Sequence, residues 1–318
     1  MTRYAADLAD IHAAADRLAG RAHRTPVATC ESLDARAGRR LFFKCDHLQK
    51  GGSFKFRGAC NAVMKLSDAE AARGVATHSS GNFAQAVAIA ARARGIAAHV
   101  VMPANAPAVK RRAVAEYGAR IIASEPAVAA REARLAEVLA ETGATPLHPY
   151  DHADVIAGQG TAALELLADV PDLDAIVVPV GGGGLIAGCA IAATALRPGI
   201  RVIGAEPLGA DDAARSKRSG TLVPQTAPDT IADGLVTSLG ALTWPVIRDR
   251  VDEIVTVPED EIVAAMRLAW ERAKLLIEPS AAVAVAAALS AGFRAMPGLA
   301  RVGVLLSGGN VDLDRLPW

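Results

Sequence analysis

Ala175-Ile176-Val177-Val178-Pro179-Val180-Gly181-Gly182-Gly183-Gly184-Leu185-Ile186-Ala187-Gly188 sets the architecture of the chain. An unbroken apolar run suits a strand covered on both faces, as in a parallel sheet. Four glycines end the strand, and an apolar helix runs on to Leu196. Without side chains, glycine N–H groups can converge on one anion, and the helix N-terminus adds the positive end of its dipole. Gly181, Gly182, Gly183 and Gly184 therefore read as a phosphate cradle. A P-loop is excluded, because no Lys-Ser or Lys-Thr follows the glycines. A nicotinamide fold stays open here, since Glu206 stands about 22 residues beyond Gly184, where a ribose partner belongs.

Outward from this stretch the same alternation recurs. Further strands are predicted at 40–45, 74–78, 98–102, 119–123, 201–205, 253–257 and 301–306. Helices are predicted over 5–19, 59–66, 83–94, 106–117, 126–141, 159–167, 259–274 and 280–288. Residues 145–150 read as extended and 207–250 as loop-rich, and a loop region of that size usually serves a site. Alternating strands and helices predict an α/β fold: two open, twisted parallel sheets with helices on both faces and the active site in the cleft between them. Residues 74–149 are expected to form one domain, and 1–73 with 150–318 the other.

The chain of 318 residues can bury a substantial core. Its 34 basic and 34 acidic residues balance, which argues against a nucleic-acid or anionic membrane surface. Cys30, Cys45, Cys60 and Cys189 are widely spaced, without a CxxC pair, and read as reduced thiols. The N-terminal stretch is charged and amphipathic, without an apolar signal core, and no apolar run of about 20 residues occurs. A soluble cytoplasmic enzyme acting on a small molecule is expected.

Four more stretches carry chemistry. In Gly51-Gly52-Ser53-Phe54-Lys55-Phe56-Arg57-Gly58, a lysine stands between two phenylalanines after a glycine turn. Apolar neighbours disfavour the charged amine and lower its pKa, and a neutral amine can form a Schiff base with an aldehyde; on this stretch alone a surface lysine at a helix start stays open. Thr77-His78-Ser79-Ser80-Gly81-Asn82-Phe83 lies at a strand end, where hydroxyls, an amide and free helix N–H groups suit a substrate carboxylate, or where Ser79 or Ser80 simply caps the helix. Leu306-Ser307-Gly308-Gly309-Asn310 ends another strand and offers a hydroxyl to a ring nitrogen, or is a plain turn. Glu206-Pro207-Leu208-Gly209-Ala210-Asp211-Asp212 gathers three carboxylates, ligands for a hard cation or a solvated acidic turn.

Taken together, in this order, these motifs resemble the serine/threonine dehydratase family, the β-family or fold type II of pyridoxal-phosphate (PLP) enzymes. Its branch of serine racemases and 3-hydroxyaspartate dehydratases is the most similar. Val155-Ile156-Ala157-Gly158-Gln159-Gly160-Thr161, Ile231-Ala232-Asp233-Gly234, Leu276-Ile277-Glu278-Pro279-Ser280 and Asn310-Val311-Asp312-Leu313 extend the resemblance almost end to end. The resemblance implies that Lys55 carries pyridoxal 5'-phosphate as an internal aldimine, with Phe54 beside the ring and Asn82 on its phenolic oxygen. The four glycines would hold the phosphate, and Ser307 would face the pyridine nitrogen. Ser79, Ser80, Gly81 and Asn82 would surround the substrate carboxylate. Glu206, the Ala210 carbonyl and Asp212 match the divalent-cation site (Mg2+, Mn2+ or Ca2+) of the racemase branch. The large domain would bind the cofactor and the small one the substrate, in a homodimer. The implied reaction is β-elimination: Lys55 removes the α-proton, the β-hydroxyl leaves, and a serine, threonine or 3-hydroxyaspartate yields a keto acid and ammonia.

Departures from the family pattern bear on the substrate. Ser80 stands where many threonine dehydratases have Ala and where the racemase branch uses serine to protonate the opposite face, so racemisation with dehydration as a side activity is the alternative. Phe83 replaces a common His, either a packing change near the helix start or a more apolar pocket that would admit a β-aryl serine such as phenylserine. Arg131 matches an arginine that faces the site in the racemase branch and would pair with a distal carboxylate, or is a solvated side chain on a charged helix. Asp46-His47 replaces the usual Glu-Asn. Nothing after Trp318 corresponds to the regulatory domain of long threonine dehydratases, so isoleucine feedback is not expected.

Overall fold

The computed structural model of the chain describes residues 4–106 and 108–318. In chain order its strands are β1 (Val27–Ala28), β2 (Arg40–Lys44), β3 (Val75–His78), β4 (Ala98–Pro103), β5 (Arg120–Ser124), β6 (Thr145–Pro146), β7 (Ala175–Pro179), β8 (Arg201–Pro207), β9 (Glu253–Val257) and β10 (Arg301–Leu305). They form a four-stranded sheet in the order β5-β4-β3-β6 and a six-stranded sheet in the order β1-β2-β10-β7-β8-β9. β1 runs antiparallel to β2, and the other pairings are parallel. This is the α/β architecture predicted from the alternation of strands and helices.

The apolar run of β7 is buried throughout because both its faces are covered. Ile176 and Val178 share a core with Ile186 and Ala190 of the Gly184–Leu196 helix, while Ala175 and Val177 share the opposite one with Ala282 and Val285 of the Pro279–Leu289 helix. The alternation follows from the strand's two-residue period. Small residues let helices approach at backbone contact. A Cβ on Gly188 would lie 2.3 Å from the Ile156 carbonyl oxygen, and one on Gly158 would lie 2.6 Å from the Cα of Gly58.

β10 lies between β2 and β7, so Val304 faces both Phe43 and Val177. That insertion places three chain segments side by side at the carboxyl ends of the strands, where open α/β sheets bind ligands. They are the lysine stretch after β2, Ser307 after β10 and the glycines after β7.

Several boundaries differ from expectation, each for a local reason. The helix expected from Gln159 begins at Ala153, because Gly158 and Gly160 serve close packing and do not break it. The helix expected from Ala59 begins at Lys55 itself, with Phe54 already in helical geometry. The capped helix Asp68–Arg73, with a Ser67/Glu70 capping box, was missed, as were β1 and the short helix Glu31–Ala37. The helix expected to reach Lys274 is α-helical only to Leu268, then widens into a π-turn over Ala269–Ala273 and stops at Lys274 with a φ of 59°. Only Thr145–Pro146 of the extended 145–150 segment pairs as a strand. The loop-rich 207–250 region contains the helices Asp212–Ser219 and Trp244–Arg250. Pro107, within the helix predicted over 106–117, lies outside the described residues. Among the described residues, no helix is long and apolar enough to cross a membrane.

Replacing Gly188 by Ala puts a methyl group against a backbone oxygen that cannot step aside. Gly188→Ala is expected to cost about 3 kcal/mol of stability, the upper end of overpacking. The check is the urea midpoint of unfolding, which an unstrained site would leave in place.

Candidate active site

Lys55 is aimed by the backbone that precedes it. Gly51 and Gly52 turn the chain at φ values of 70° and 71°, where side chains are strained. Ser53 then bridges to Gly308, and the Phe54 N–H donates to the Ser307 carbonyl at 2.9 Å. The lysine stretch and the Ser307 turn are thus stitched together before the Lys55–Lys65 helix begins. The Lys55 Nζ donates to the Pro149 carbonyl at 2.9 Å. It lies 5.0 Å from the Phe54 ring centre and 5.8 Å from that of Phe83. Here the expected aromatic pair is corrected. Phe56 turns away into the core, as its place in the helix demands, and Phe83 supplies the second ring. Burial pushes the amine's pKa down to about 8, against the opposing pull of Glu278.

A cleft of about 730 Å³ opens beside the amine. Its walls include the Ser79–Asn82 turn after β3, the four glycines after β7, Ser307 after β10 and Arg131. The cap of the Asn82–Arg94 helix is Gly81, which makes no side-chain cap bond, so the expected capping by Ser79 or Ser80 is replaced by first-turn N–H groups left available. Ser79 Oγ accepts only a long bond from the Gly81 N–H, at 3.4 Å. Arg131 faces the cleft, and its Nε is buried without a hydrogen-bond partner.

The glycine loop has no room for side chains. A Cβ on Gly182 would fall 2.3 Å from the Tyr150 ring, and Gly183, at a φ of 88°, would bring one to 2.8 Å from Thr243 Oγ1. The Gly184–Leu196 helix starts at the loop, so its free N–H groups and dipole face the same space. Ser307 is buried at the cleft wall.

The motif residues Glu278 and Asn310, to which no role had been attached, hold Asn82. The Asn82 Nδ2 donates to Glu278 Oε1 at 2.8 Å, and its Oδ1 accepts from Asn310 Nδ2 at 2.9 Å. The Asn310 N–H closes the group on Glu278 Oε2 at 3.1 Å. Gly308 fits here because a Cβ would lie 2.4 Å from Glu278 Oε1.

Behind the lysine lies an ionic cluster that spacing could not reveal. Arg57 donates to Asp46 (2.7 and 2.9 Å) and to both oxygens of Glu165 (2.7 and 2.8 Å). Lys44 reaches Glu165 at 2.6 Å and the Thr25 carbonyl at 2.7 Å. Burial alone would raise the Asp46 carboxyl, but Arg57, Thr25 and Lys44 bring it below its ordinary value. The Asp46 that departs from the family pattern is therefore the partner of Arg57.

Glu206 and Asp212 are both fully buried, as is Ala210. Glu206 accepts from the N–H groups of Ala213 (3.0 Å) and Ala214 (2.7 Å), and Asp212 Oδ2 accepts from that of Leu239 (3.1 Å). Asp212 Oδ1 is buried without a partner. Burial, then the charge of Asp212, pushes the Glu206 carboxyl up to about 9, and burial raises Asp212 to about 6. Asp211 turns outward to Arg215 at 2.8 Å. Among the described residues, no group of three or more His, Cys, Asp or Glu side chains could hold a metal, so a cation here would rest on two carboxylates and the Ala210 carbonyl.

A family profile described as "Pyridoxal-phosphate dependent enzyme" matches residues 18–308. The chain belongs to that family. This PLP-dependent enzyme is 53% identical over 317 residues to a serine racemase of Arabidopsis thaliana, covering 99% of this chain and 96% of the relative. It is 49% identical over 309 residues to a β-hydroxyaspartate dehydratase of Paracoccus denitrificans, covering 97% and 98%. The structure of maize serine racemase superposes with a TM-score of 0.97 at 49% identity, covering 98% of this chain and 95% of that one.

The site fits the cofactor of the family. An amine of lowered pKa, a side-chain-free anion cradle and a buried hydroxyl stand in one cleft. The lowered pKa has a direct consequence for loading. The rate at which apoenzyme takes up pyridoxal 5'-phosphate is expected to climb with pH about a midpoint near 8. Following the visible band of the bound cofactor checks this, and a midpoint near the ordinary lysine value of about 10.4 would show an unperturbed amine.

Proposed function

We propose that this PLP-dependent enzyme interconverts the enantiomers of serine or a closely related β-hydroxy amino acid, and eliminates water and ammonia from the same substrates as a second reaction. One observation carries the reading: Lys55 and Ser80 line one cleft, the amine from the helix after β2 and the hydroxyl from the turn after β3. Inversion at a carbon needs acid/base groups on both faces, and elimination needs only one. The serine racemase relatives support racemisation as the leading activity, ahead of the dehydratase reading drawn from the sequence.

When bound, pyridoxal phosphate supplies an electron sink that acidifies the substrate's α-C–H bond. The chain's own residues do the rest. Gly181, Gly182, Gly183 and Gly184 take the phosphate on backbone N–H groups. Asn82, held by Glu278 and Asn310, presents its amide at a fixed angle. Ser307, a neutral hydroxyl at the cleft wall, would hold the ring nitrogen without fixing a charge there. Ser79, Ser80, Gly81 and Asn82 bind the substrate carboxylate at a helix start. Lys55, its pKa brought down to about 8, moves the α-proton on one side, and the Ser80 hydroxyl moves one on the other.

A second reading, dehydration of 3-hydroxyaspartate, is favoured by one feature. The Arg131 Nε is buried beside the cleft without a partner, and a distal carboxylate would satisfy it. The β-hydroxyaspartate dehydratase relative supports that reading. Phe83, packed against the Lys55 amine, bears on a third, a β-aryl serine. The apolar composition and the family tendency support a homodimer as the working unit.

Glu206, Asp212 and the Ala210 carbonyl would hold a divalent cation, Mg2+, Mn2+ or Ca2+. Its charge would offset the burial that holds Glu206 towards its neutral form, and it would give the unpaired Asp212 oxygen a partner. The service it supplies is electrostatic, favouring the folded loop between β8 and the Asp212–Ser219 helix.

Two tests follow from these assignments. Purified protein given D- and L-serine, L-threonine, the 3-hydroxyaspartate isomers and phenylserine, assayed for chirality and keto acid together, is expected to racemise serine and to release less keto acid. Ser80→Ala should then slow racemisation about a hundredfold while keto-acid release stays within about tenfold. An equal loss of both would remove Ser80 from the second face, and Lys55→Ala should abolish both along with the visible band. Separately, saturating Mg2+ added to chelator-treated holoenzyme is expected to raise Tm by about 5 °C. Glu206→Gln should erase that rise, and a wild-type Tm indifferent to Mg2+, Mn2+ and Ca2+ would count against the cation.

A further inference from the structure

We infer that His148 is a positioning residue: by accepting the N–H groups of Tyr150 and Asp151, it fixes a four-residue turn whose Pro149 carbonyl docks the Lys55 amine. The inference rests on the reading of Lys55 as the cofactor lysine. After β6 the chain stays extended for one residue, with the Leu147 N–H on the Ala76 carbonyl at 2.8 Å, and then turns. The His148 Nδ1 accepts from the Asp151 N–H at 2.8 Å and, more weakly, from that of Tyr150 at 3.4 Å. This is the role an Asn or Asp side chain plays in many turns, taking N–H groups two and three residues on. An accepting Nδ1 carries no proton, so the bonds assign the proton to Nε2. Burial holds the ring's pKa down to about 4, against the opposing pull of Asp151, which keeps Nδ1 available as an acceptor near neutral pH.

Each later residue of the turn meets a different part of the site. The Pro149 carbonyl accepts from Lys55 Nζ at 2.9 Å. The Tyr150 ring, edge-on to His148 with centres 4.5 Å apart, fills the space where Gly182 would carry a Cβ. The Asp151 carboxylate accepts from the N–H groups of Leu242 (2.7 Å) and Ala241 (3.2 Å). Next to them, the Gly240 N–H and Thr243 Oγ1 donate to the Gly182 carbonyl at 3.2 and 2.8 Å. The turn, the phosphate cradle and the 240–243 loop therefore close into one ring of contacts, and His148 is its internal fastening. Without that acceptor, two N–H groups in a half-buried turn lose their partner, and the turn is free to rotate the Pro149 carbonyl off the amine.

The test compares two substitutions in the holoenzyme. His148→Phe keeps an aromatic ring and removes the acceptor. His148→Asn removes the ring and keeps an acceptor suited to a turn. His148→Phe is expected to lower kcat on serine about a hundredfold with KM within about threefold, the effect of a small misplacement of a reacting group. His148→Asn is expected to return kcat to within about threefold of wild type. Wild-type kcat in His148→Phe, or equal loss in both variants, overturns the inference. If His148→Phe does not fold, His148→Asn carries the test alone: retention of kcat supports the inference, and a loss of tenfold or more overturns it. Failure of the underlying Lys55 reading shows itself separately, as a wild-type protein without the visible cofactor band.

Discussion

Arg57, sealed inside the protein between Asp46 and Glu165, is the interaction on which the rest of the site depends. It stands two residues after Lys55 on the same helix and fixes that helix about its own axis. Its partners come from the turn after β2 and from the Ala153–Asp169 helix, and Lys44 of β2 balances the second carboxylate. Two cations and two anions bring the buried net charge to zero. Such a group gains little over an apolar core in stability, because each ion gives up its hydration. It gains in direction, since a guanidinium fork donates to its carboxylates only in one plane. A slide or rotation of the helix would break several short bonds at once, so Lys55 has one way to point.

Burial favours the uncharged form at two places, Lys55 after β2 and Glu206 at the end of β8. At Lys55 it favours the neutral amine and brings the pKa down to about 8. At Glu206 it disfavours the carboxylate, which leaves an electrostatic deficit that only a proton or a cation relieves. The same physics thus lowers the pKa of an amine in one place and raises that of a carboxyl in another. What separates them is the neighbour: aromatic faces for the amine, a second carboxylate for the acid.

Much of this was legible because its signals are local. The unbroken apolar run of β7 and the glycines after it declare a covered strand and an anion cradle within one short stretch. Glu206, Asp211 and Asp212 lie close together in the chain, so an acidic cluster could be read directly, although Asp211 turns outward to Arg215. Phe83 could not be recognised as the second ring beside Lys55, because that depends on where the Lys55 helix starts, and the chain hides the start behind two glycines. The helix predicted over 159–167 starts six residues late because Gly158 looks like a breaker, whereas it is a contact point for the Lys55–Lys65 helix. Arg57 gave no signal, since its partner Glu165 lies 108 residues away. His148 gave none either, because its work is done by one ring nitrogen on the backbone of its own turn.

The place of β10 has a consequence in time. Between β2 and β7 the six-stranded sheet has a gap that stays open until residues near 301 have been synthesised. Until then, two central strands present bare edges, the kind of surface that invites pairing with other chains. The four-stranded sheet, built within 75–146, has no such wait. Synthesis therefore yields a finished small sheet early and a large sheet that closes late, by a strand inserted at its middle from far along the chain, a slow kind of closure. Ser307 and the lysine stretch are joined by that same insertion, so the cleft beside Lys55 comes into being only when folding is nearly complete.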